Sequence, residues 1–477
     1  MIPIEYAAQV VPSERQLAWQ ELEFYAFIHF TVNTFTDREW GDGTESPSIF
    51  QPDNLDAKQW VRACRSAGMK GLILTCKHHD GFCLWPSRYT DHSVKNSPWK
   101  GGNGDVVRET ADACREAGIK FGIYLSPWDR HEPSYGDTPA YNAYFLNQLR
   151  ELLTNYGELF CVWFDGACGE GPNGKRQEYD WESYYALIRE LQPNAVISVC
   201  GPDVRWCGNE AGHARESEWS VVPAILQDQN RIQAESQQSD DLEFAKRVNV
   251  ESDDLGSREA IRHHDRLVWY PAEVDTSIRP GWFYHASEDD AVRSLDELLR
   301  IYYGAVGGNA ALLLNVPPDR HGLIHERDAA RLGELGRVLG QTFRHDLAAG
   351  ATARASATAG DAHRIDRILD GNKMTYWRPP EGAEQAEIEI DLQAETTFDR
   401  IVLMEYLRSG QRVERFQVAC RIGGEWRDIY QGTVVGYKRI CCFAPVTTRH
   451  LRLIIAESRG YPTLSKFGVY KEADRNQ

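Results

Sequence analysis

Up to about residue 318 the chain alternates short apolar runs, rich in β-branched and aromatic residues, with longer amphipathic stretches, and this alternation restricts the fold more than any other feature. A short uninterrupted apolar run suits a strand buried on both faces, and an amphipathic stretch between two such runs suits a crossover helix covering the sheet. The pattern is that of a parallel sheet wrapped by helices. The runs occupy 24–30, 71–79, 120–127, 159–166, 195–202 and 311–317. Helical patterns lie at 56–68, 105–118, 139–156 and 178–191, several of them ending in glycine as a helix C-cap does. This predicts a (β/α)8-like barrel. Over 203–285 the alternation breaks down into a polar segment rich in Asp, Glu, Gln and Arg, so the barrel is expected to be irregular there, with long loops in place of some helices.

From about Ala349 helical periodicity fades, and short alternating runs follow: AEIEIDL, RIVLMEYL, RFQVACRI, YKRICCFA and HLRLIIAE. Even spacing with turn residues between the runs predicts an antiparallel β-sandwich, joined to the barrel by a helix over 326–343. The expected division is a catalytic barrel over 1–345 and a sandwich over 346–477, which suits a length of 477 residues.

A formal net charge of −17 works against attraction to nucleic-acid backbones or anionic membranes, so a neutral substrate is expected and neither nucleic acid nor membrane is a partner. No apolar run approaches the roughly 18 residues that cross a bilayer, and the N-terminal stretch lacks a basic region followed by an apolar one. The 11 cysteines are scattered apart from Cys441-Cys442 and form no CxxC pair, so reduced core thiols are expected rather than a disulfide framework. That favours a cytoplasmic location; a secreted or periplasmic one would require a leader already removed. Oligomeric state is left open.

Active sites of such barrels lie at the C-terminal ends of the strands, so polar residues that terminate apolar runs are the candidates. They are His29 in FIHF, the KHHD stretch with His78 and His79, Tyr124 in GIYLSPWD, and Trp163 and Asp165 in VWFDG. Asp165 suits a partly shielded nucleophile at the barrel mouth and suits a helix N-cap equally well. A retaining glycosidase needs a second carboxyl group about 5–5.5 Å from the first, and Glu210, Glu216 and Glu218 all qualify, with Trp206 and Trp219 nearby to bury an acid. Adjacent side chains on an extended strand point to opposite sides, so His78 and His79 are expected to bind substrate hydroxyls rather than share a metal ion.

Taken together, FIHF, EWGDG, KHHDGF, GIYLSPWD, VWFDGA and LLLNVPPDRHGLI resemble glycoside hydrolase family 29, the α-L-fucosidases, in order and spacing over roughly residues 10–345. The resemblance implies a retaining hydrolase without cofactor or metal that acts on fucosylated oligosaccharides or glycoconjugates. It implies Asp165 as nucleophile and a fucose pocket of His29, Glu39, Trp40, His78, His79, Tyr124 and Trp163, with Trp282 and Phe283 of GWFY as the wall for the fucose methyl group. The segment GPDVRWCGNE is similar to one preceding the acid/base in the subgroup that cleaves α-1,3 and α-1,4 fucose from Lewis-type glycans. That similarity points to Glu210, with Glu218 and then Glu216 in reserve. DGNKMTYWRP resembles a discoidin-like, carbohydrate-binding sandwich.

Overall fold

The computed structural model describes residues 3–236 and 254–475. Among the described residues, ten strands belong to the first part of the chain: β1 Phe24–Ile28, β2 Gly71–Lys77, β3 Lys120–Leu125, β4 Cys161–Phe164, β5 Val196–Val199, β6 Arg205–Trp206, β7 Val221–Pro223, β8 Leu267–Trp269, β9 Ala272–Ser277 and β10 Ala311–Asn315. Eight of them form one parallel sheet in the order β5-β4-β3-β2-β1-β10-β9-β6, while β7 and β8 pair antiparallel with each other. Strands β5 and β6, consecutive in the chain, stand at the two ends of that order, so the sheet curls into a nearly closed barrel with a seam between them. Asp203 bridges the seam, its carboxylate accepting the Ile197 N–H at 2.8 Å and pairing with Arg15 at 3.3 Å and with Arg189.

Strand periodicity sorts the side chains into two cores. Phe24, Ala26, Ile28, Leu72, Leu74, Val162, Phe164, Leu312 and Leu314 pack outward against the helices. Tyr25, Phe27, Ile73, Tyr124, Cys161, Trp163, Val196 and Leu313 fill the barrel interior. The covering helices Ala57–Ser66, Val106–Ala117 and Trp181–Leu191 start at Asp56, Asp105 and Asp180, whose carboxylates accept first-turn N–H groups. Gly118 caps the second of these with φ 70°, the left-handed conformation that glycine adopts without penalty.

The six strands expected from apolar runs are all present; β6 and β9 come from the polar region in which the sequence showed no alternation. Strand β6 has two residues, and β9 (AEVDTS) places Glu273 and Asp275 in phase with inward-pointing side chains. Its burial is polar, satisfied by side-chain donors, so no apolar pattern marks it.

Helix Glu326–Thr342 leads to six further strands: β11 Thr352–Ala355, β12 Ala386–Met404, β13 Val413–Ile422, β14 Glu425–Gly432, β15 Arg439–Ser458 and β16 Lys466–Tyr470. They pair antiparallel in the order β11-β12-β15-β13-β14, with β16 also on β12. Their core gathers Trp377, Ile388, Phe398, Phe416, Leu453 and Phe467. This unit is fastened to the barrel: Gln411 Oε1 accepts the Ser220 N–H at 2.8 Å, Ser217 and Thr433 share a hydroxyl hydrogen bond at 2.7 Å, and Arg459 lies 3.9 Å over the Trp219 ring. Ser217, Trp219 and Ser220 belong to the segment that leads from β6 through Glu210 to β7.

Candidate active site

The cleft at the C-terminal ends of the strands has an open volume of about 610 Å³, and its lining includes His29, Glu39, Trp40, His78, His79, Trp163, Asp165, Glu210 and Trp282. Asp165 follows β4 in the inward phase of Cys161 and Trp163. One of its oxygens accepts the Tyr124 O–H at 2.9 Å and the other the Ala167 N–H at 2.8 Å, with His79 Nε2 3.7 Å away. The next helix starts only at Trp181, so Asp165 caps none. Its side chain keeps 20% exposure, toward the cleft.

Three imidazoles line the cleft together with this carboxylate. His29 is fixed by Asn315 through Nδ1 at 2.8 Å, and the Asn315 amide in turn donates to Ser277 Oγ and to the Trp282 carbonyl. The strand registers bring this about, because Phe27 pairs with Asn315 and Asn315 with Ser277. His79 is fixed by Ser126 Oγ at 2.7 Å. His78 Nδ1 is buried without a protein partner, and its ring lies parallel to Tyr124 at 5.7 Å. Burial pushes His29 down to about 3 and His79 to about 4, the latter against the pull of Asp165, and holds His78 well below the ordinary range. All three are therefore neutral near pH 7, each with one donor and one acceptor nitrogen, which suits hydroxyl groups.

His78 and His79 both face the cleft, their ring centroids 4.2 Å apart, contrary to the expectation of opposite directions. The reason is local: β2 ends at Lys77 and its pairing with β3 shifts register between Thr75 and Lys77, so strand alternation does not extend to 78 and 79. Lys77 itself turns to the helix side, paired with buried Asp129 at 2.9 Å and Gln148 at 3.0 Å. His78, His79 and Asp165 could each offer a metal one atom, all within 4.8 Å of one another. Asp165 Oδ2 already accepts the Tyr124 hydroxyl, and His79 Nδ1 is engaged by Ser126 Oγ.

Glu39 acts as a bracket. Its carboxylate accepts the Trp282 and Phe283 N–H groups at 2.9 and 3.0 Å and binds His285 Nε2 at 2.8 Å, holding the GWFY loop over the cleft. Trp282 then lines the cleft beside His29, whereas Phe283 is fully buried behind His29 and His78. Trp40 meets His79 edge-on at 5.7 Å. Trp163 stacks on Tyr124 at 5.2 Å and donates its indole N–H to Glu273 at 2.7 Å.

The three candidate acids separate clearly. Glu210 lines the cleft and accepts the Trp282 Nε1–H at 3.0 Å. Glu218 is buried away from it, ion-paired with Arg205 and, at 3.7 Å, with Arg215, and Glu216 is exposed. Two carboxylates escaped the sequence reading: Asp275, which lines the cleft, and Glu273, which sits beneath it. Their spacing of two on a strand is the signal that could have found them.

Comparison with known proteins agrees with this geometry. The family model described as alpha-L-fucosidase matches residues 4–342. The chain belongs to the α-L-fucosidase family. A second model, the F5/8 type C domain, matches residues 352–467. This fucosidase-family chain is 43% identical over 469 residues to alpha-L-fucosidase 1 of Arabidopsis thaliana, covering 97% of this chain and 88% of that protein. Among solved structures, a Ruminococcus gnavus GH29 fucosidase in complex with fucose superposes with a TM-score of 0.85 at 34% identity, over 98% of this chain and 96% of the other. A glycoside hydrolase 29 family member from an unknown rumen bacterium gives a TM-score of 0.80 at 42% identity, over 98% and 78%.

Proposed function

We propose that this α-L-fucosidase is a retaining exo-enzyme that removes α-1,3- and α-1,4-linked L-fucose from Lewis-type glycans. The observation that carries the reading is the pairing, in one cleft, of Asp165 with Glu210 beside three neutral histidines and Tyr124. Asp165, partly exposed and fixed by two donors, is the nucleophile that attacks the anomeric carbon. Glu210 protonates the departing oxygen and then, as a base, takes a proton from the water that releases fucose with net retention. His29, His78, His79 and the indoles of Trp40, Trp163 and Trp282 bind the sugar, with Glu39 holding Trp282 in place. The linkage preference rests on the similarity of WGDGTESPSIFQP and GPDVRWCGNEAGHARESEWS to the Lewis-type subgroup.

The sandwich over 346–477 is read as a structural module. Trp377 of its DGNKMTYWRP motif is fully buried in the sandwich core rather than offered to a ligand, and its strands and loops hold the segment that carries Glu210. The test is fucose release from 3-fucosyllactose and 2′-fucosyllactose in EDTA by wild type, Asp165→Ala and Glu210→Gln, with the anomer of the first product followed by NMR. Release of α-L-fucose from the 3-linked sugar alone, lost in Asp165→Ala, supports the reading. Rapid turnover of both sugars and of an aryl fucoside would make the enzyme broad-specificity, and loss of activity in EDTA would make the His78, His79 and Asp165 group a metal site.

A further inference from the structure

Two carboxylates share the cleft wall, each held by its own indole. Trp282 donates Nε1–H to Glu210 at 3.0 Å, and Trp206 donates Nε1–H to Asp275 at 2.7 Å. All four residues line the same cleft. The backbone holds them in register: Arg205 and Trp206 of β6 pair with Ala272 and Glu273 of β9, the Cys207 N–H continues to the Glu273 carbonyl at 2.9 Å, and Thr276 Oγ1 donates to the Glu210 carbonyl at 2.8 Å. Asp275 and Glu210 are thus tied by the protein on both sides.

Asp275 is 4% exposed, and among the described residues no lysine or arginine forms an ion pair with it. Burial first, then the Glu210 and Glu273 carboxylates, push it well above the usual carboxylate range. Glu273 stands two residues back on β9, Cys207 lies behind on the β6 loop, and β10 presents Leu313 beside it. Among the described residues, the other ionisable groups lining the cleft are Asp165, Glu39 and the three histidines, which burial keeps neutral. Two carboxyl groups that line one wall of the same cleft oppose each other's ionisation.

We infer that Asp275 is the proton partner of Glu210, the two sharing a single proton that Glu210 delivers to the leaving oxygen. This rests on the reading of Glu210 as the acid/base. In the first half-reaction Asp165 bonds to the anomeric carbon, the glycosidic C–O bond breaks, and the shared proton goes to the departing oxygen. The pair is then doubly negative. In the second half-reaction it takes one proton from the attacking water, whose oxygen bonds to the anomeric carbon as the bond to Asp165 breaks, and the starting state returns. Asp275 therefore makes Glu210 a better-retained acid in the first step and a stronger base in the second.

The test is the pH profile of kcat/KM on the natural oligosaccharide for wild type, Asp275→Asn, Trp206→Phe and Glu210→Gln. Asparagine keeps an oxygen for the Trp206 indole but removes the charge. The basic limb should move to lower pH by about one pH unit, and kcat at neutral pH should fall about tenfold with KM little changed. Trp206→Phe removes a donor that stabilises the anion, so it should move the limb the other way and serves as the readout where Asp275→Asn fails to fold. A basic limb that stays in place in both variants overturns the inference while leaving Glu210 as the acid. A basic limb that persists in Glu210→Gln overturns the acid assignment itself, and this inference with it.

Discussion

Replacing His285 with glutamine removes the cation that joins Asp37 and Glu39, and the consequence for stability depends on pH in a calculable way. His285 Nε2 lies 2.8 Å from Glu39 and Nδ1 2.7 Å from Asp37, and the ring is largely enclosed, at 13% side-chain exposure. The hydrogen bond to Glu39, against the cost of burial and with help from Asp37, raises its pKa from 6.5 to about 9. A group whose folded pKa stands above its unfolded value holds its proton more tightly when folded. Its contribution is thus complete below the unfolded value of 6.5 and is lost as pH climbs through about 9. That gap corresponds to about 3 kcal/mol at low pH, an upper figure because Asp37, 74% exposed, is screened by water. Glutamine keeps a neutral donor for Glu39, so the two backbone N–H groups of Trp282 and Phe283 stay bracketed. The expected result is a wild-type advantage in unfolding free energy of about 2–3 kcal/mol at about pH 6, shrinking toward zero by about pH 10. Denaturant melts of both proteins at a series of pH values measure it. A difference that does not change with pH refutes the ion-pair argument and leaves a packing effect.

Other expectations separate chemistry from structure. Glu210→Gln should lower kcat on natural glycans by about 10²–10⁴-fold without altering the melting temperature, as read from kinetics and calorimetry on one preparation. Glu218→Gln should do the reverse, costing about 3–5 kcal/mol because buried Arg205 loses its counter-charge, with normal kcat per folded molecule. Tyr124→Phe removes a donor that positions the Asp165 carboxylate and should lower kcat/KM by about 1.5–3 kcal/mol in transition-state terms, as read from steady-state kinetics.

Much of this site was legible because strand phase and chemistry agree in the first half of the barrel. His29, Tyr124, Trp163 and Asp165 end or follow apolar runs in the phase that points inward, so the sequence itself marks them. His78 and His79 were legible as site residues, but their common orientation was not, because it depends on a register shift in β2. The last strands escaped for a different reason. β9 buries Glu273, Asp275 and Thr276 by hydrogen bonding rather than by apolarity, and no hydropathy pattern reports a partner that is a tryptophan tens of residues away. Among the candidate acids, nothing local distinguishes Glu210 from Glu218. The difference lies in Arg205, which takes Glu218 into an ion pair, and in Trp282, which reaches Glu210 across the cleft.

Glu273 shows how the barrel interior itself sets the shape of the cleft. It is fully buried, with one oxygen accepting the Trp163 indole N–H at 2.7 Å and the Ser198 hydroxyl at 3.3 Å and the other accepting the Tyr25 hydroxyl, which in turn receives the Trp19 N–H at 2.9 Å. Every donor in this set points at the carboxylate. Glutamine is nearly the same size but brings two N–H groups of its own, so either Trp163 or Tyr25 faces a donor instead of an acceptor. A buried donor left unsatisfied costs about 1–3 kcal/mol, and the amide can spare one side only by exposing the other. If the amide turns its oxygen to Trp163, stability falls and fucose binding survives. If it turns its oxygen to Tyr25, the Trp163 ring must tilt away from Tyr124, the pocket floor shifts, and KM rises with the stability loss. Calorimetry together with KM for 3-fucosyllactose tells these apart. A Glu273→Gln enzyme with wild-type stability and wild-type KM would show that Trp163 is held by its stacking on Tyr124 alone, and that the inner carboxylate has no part in shaping the site.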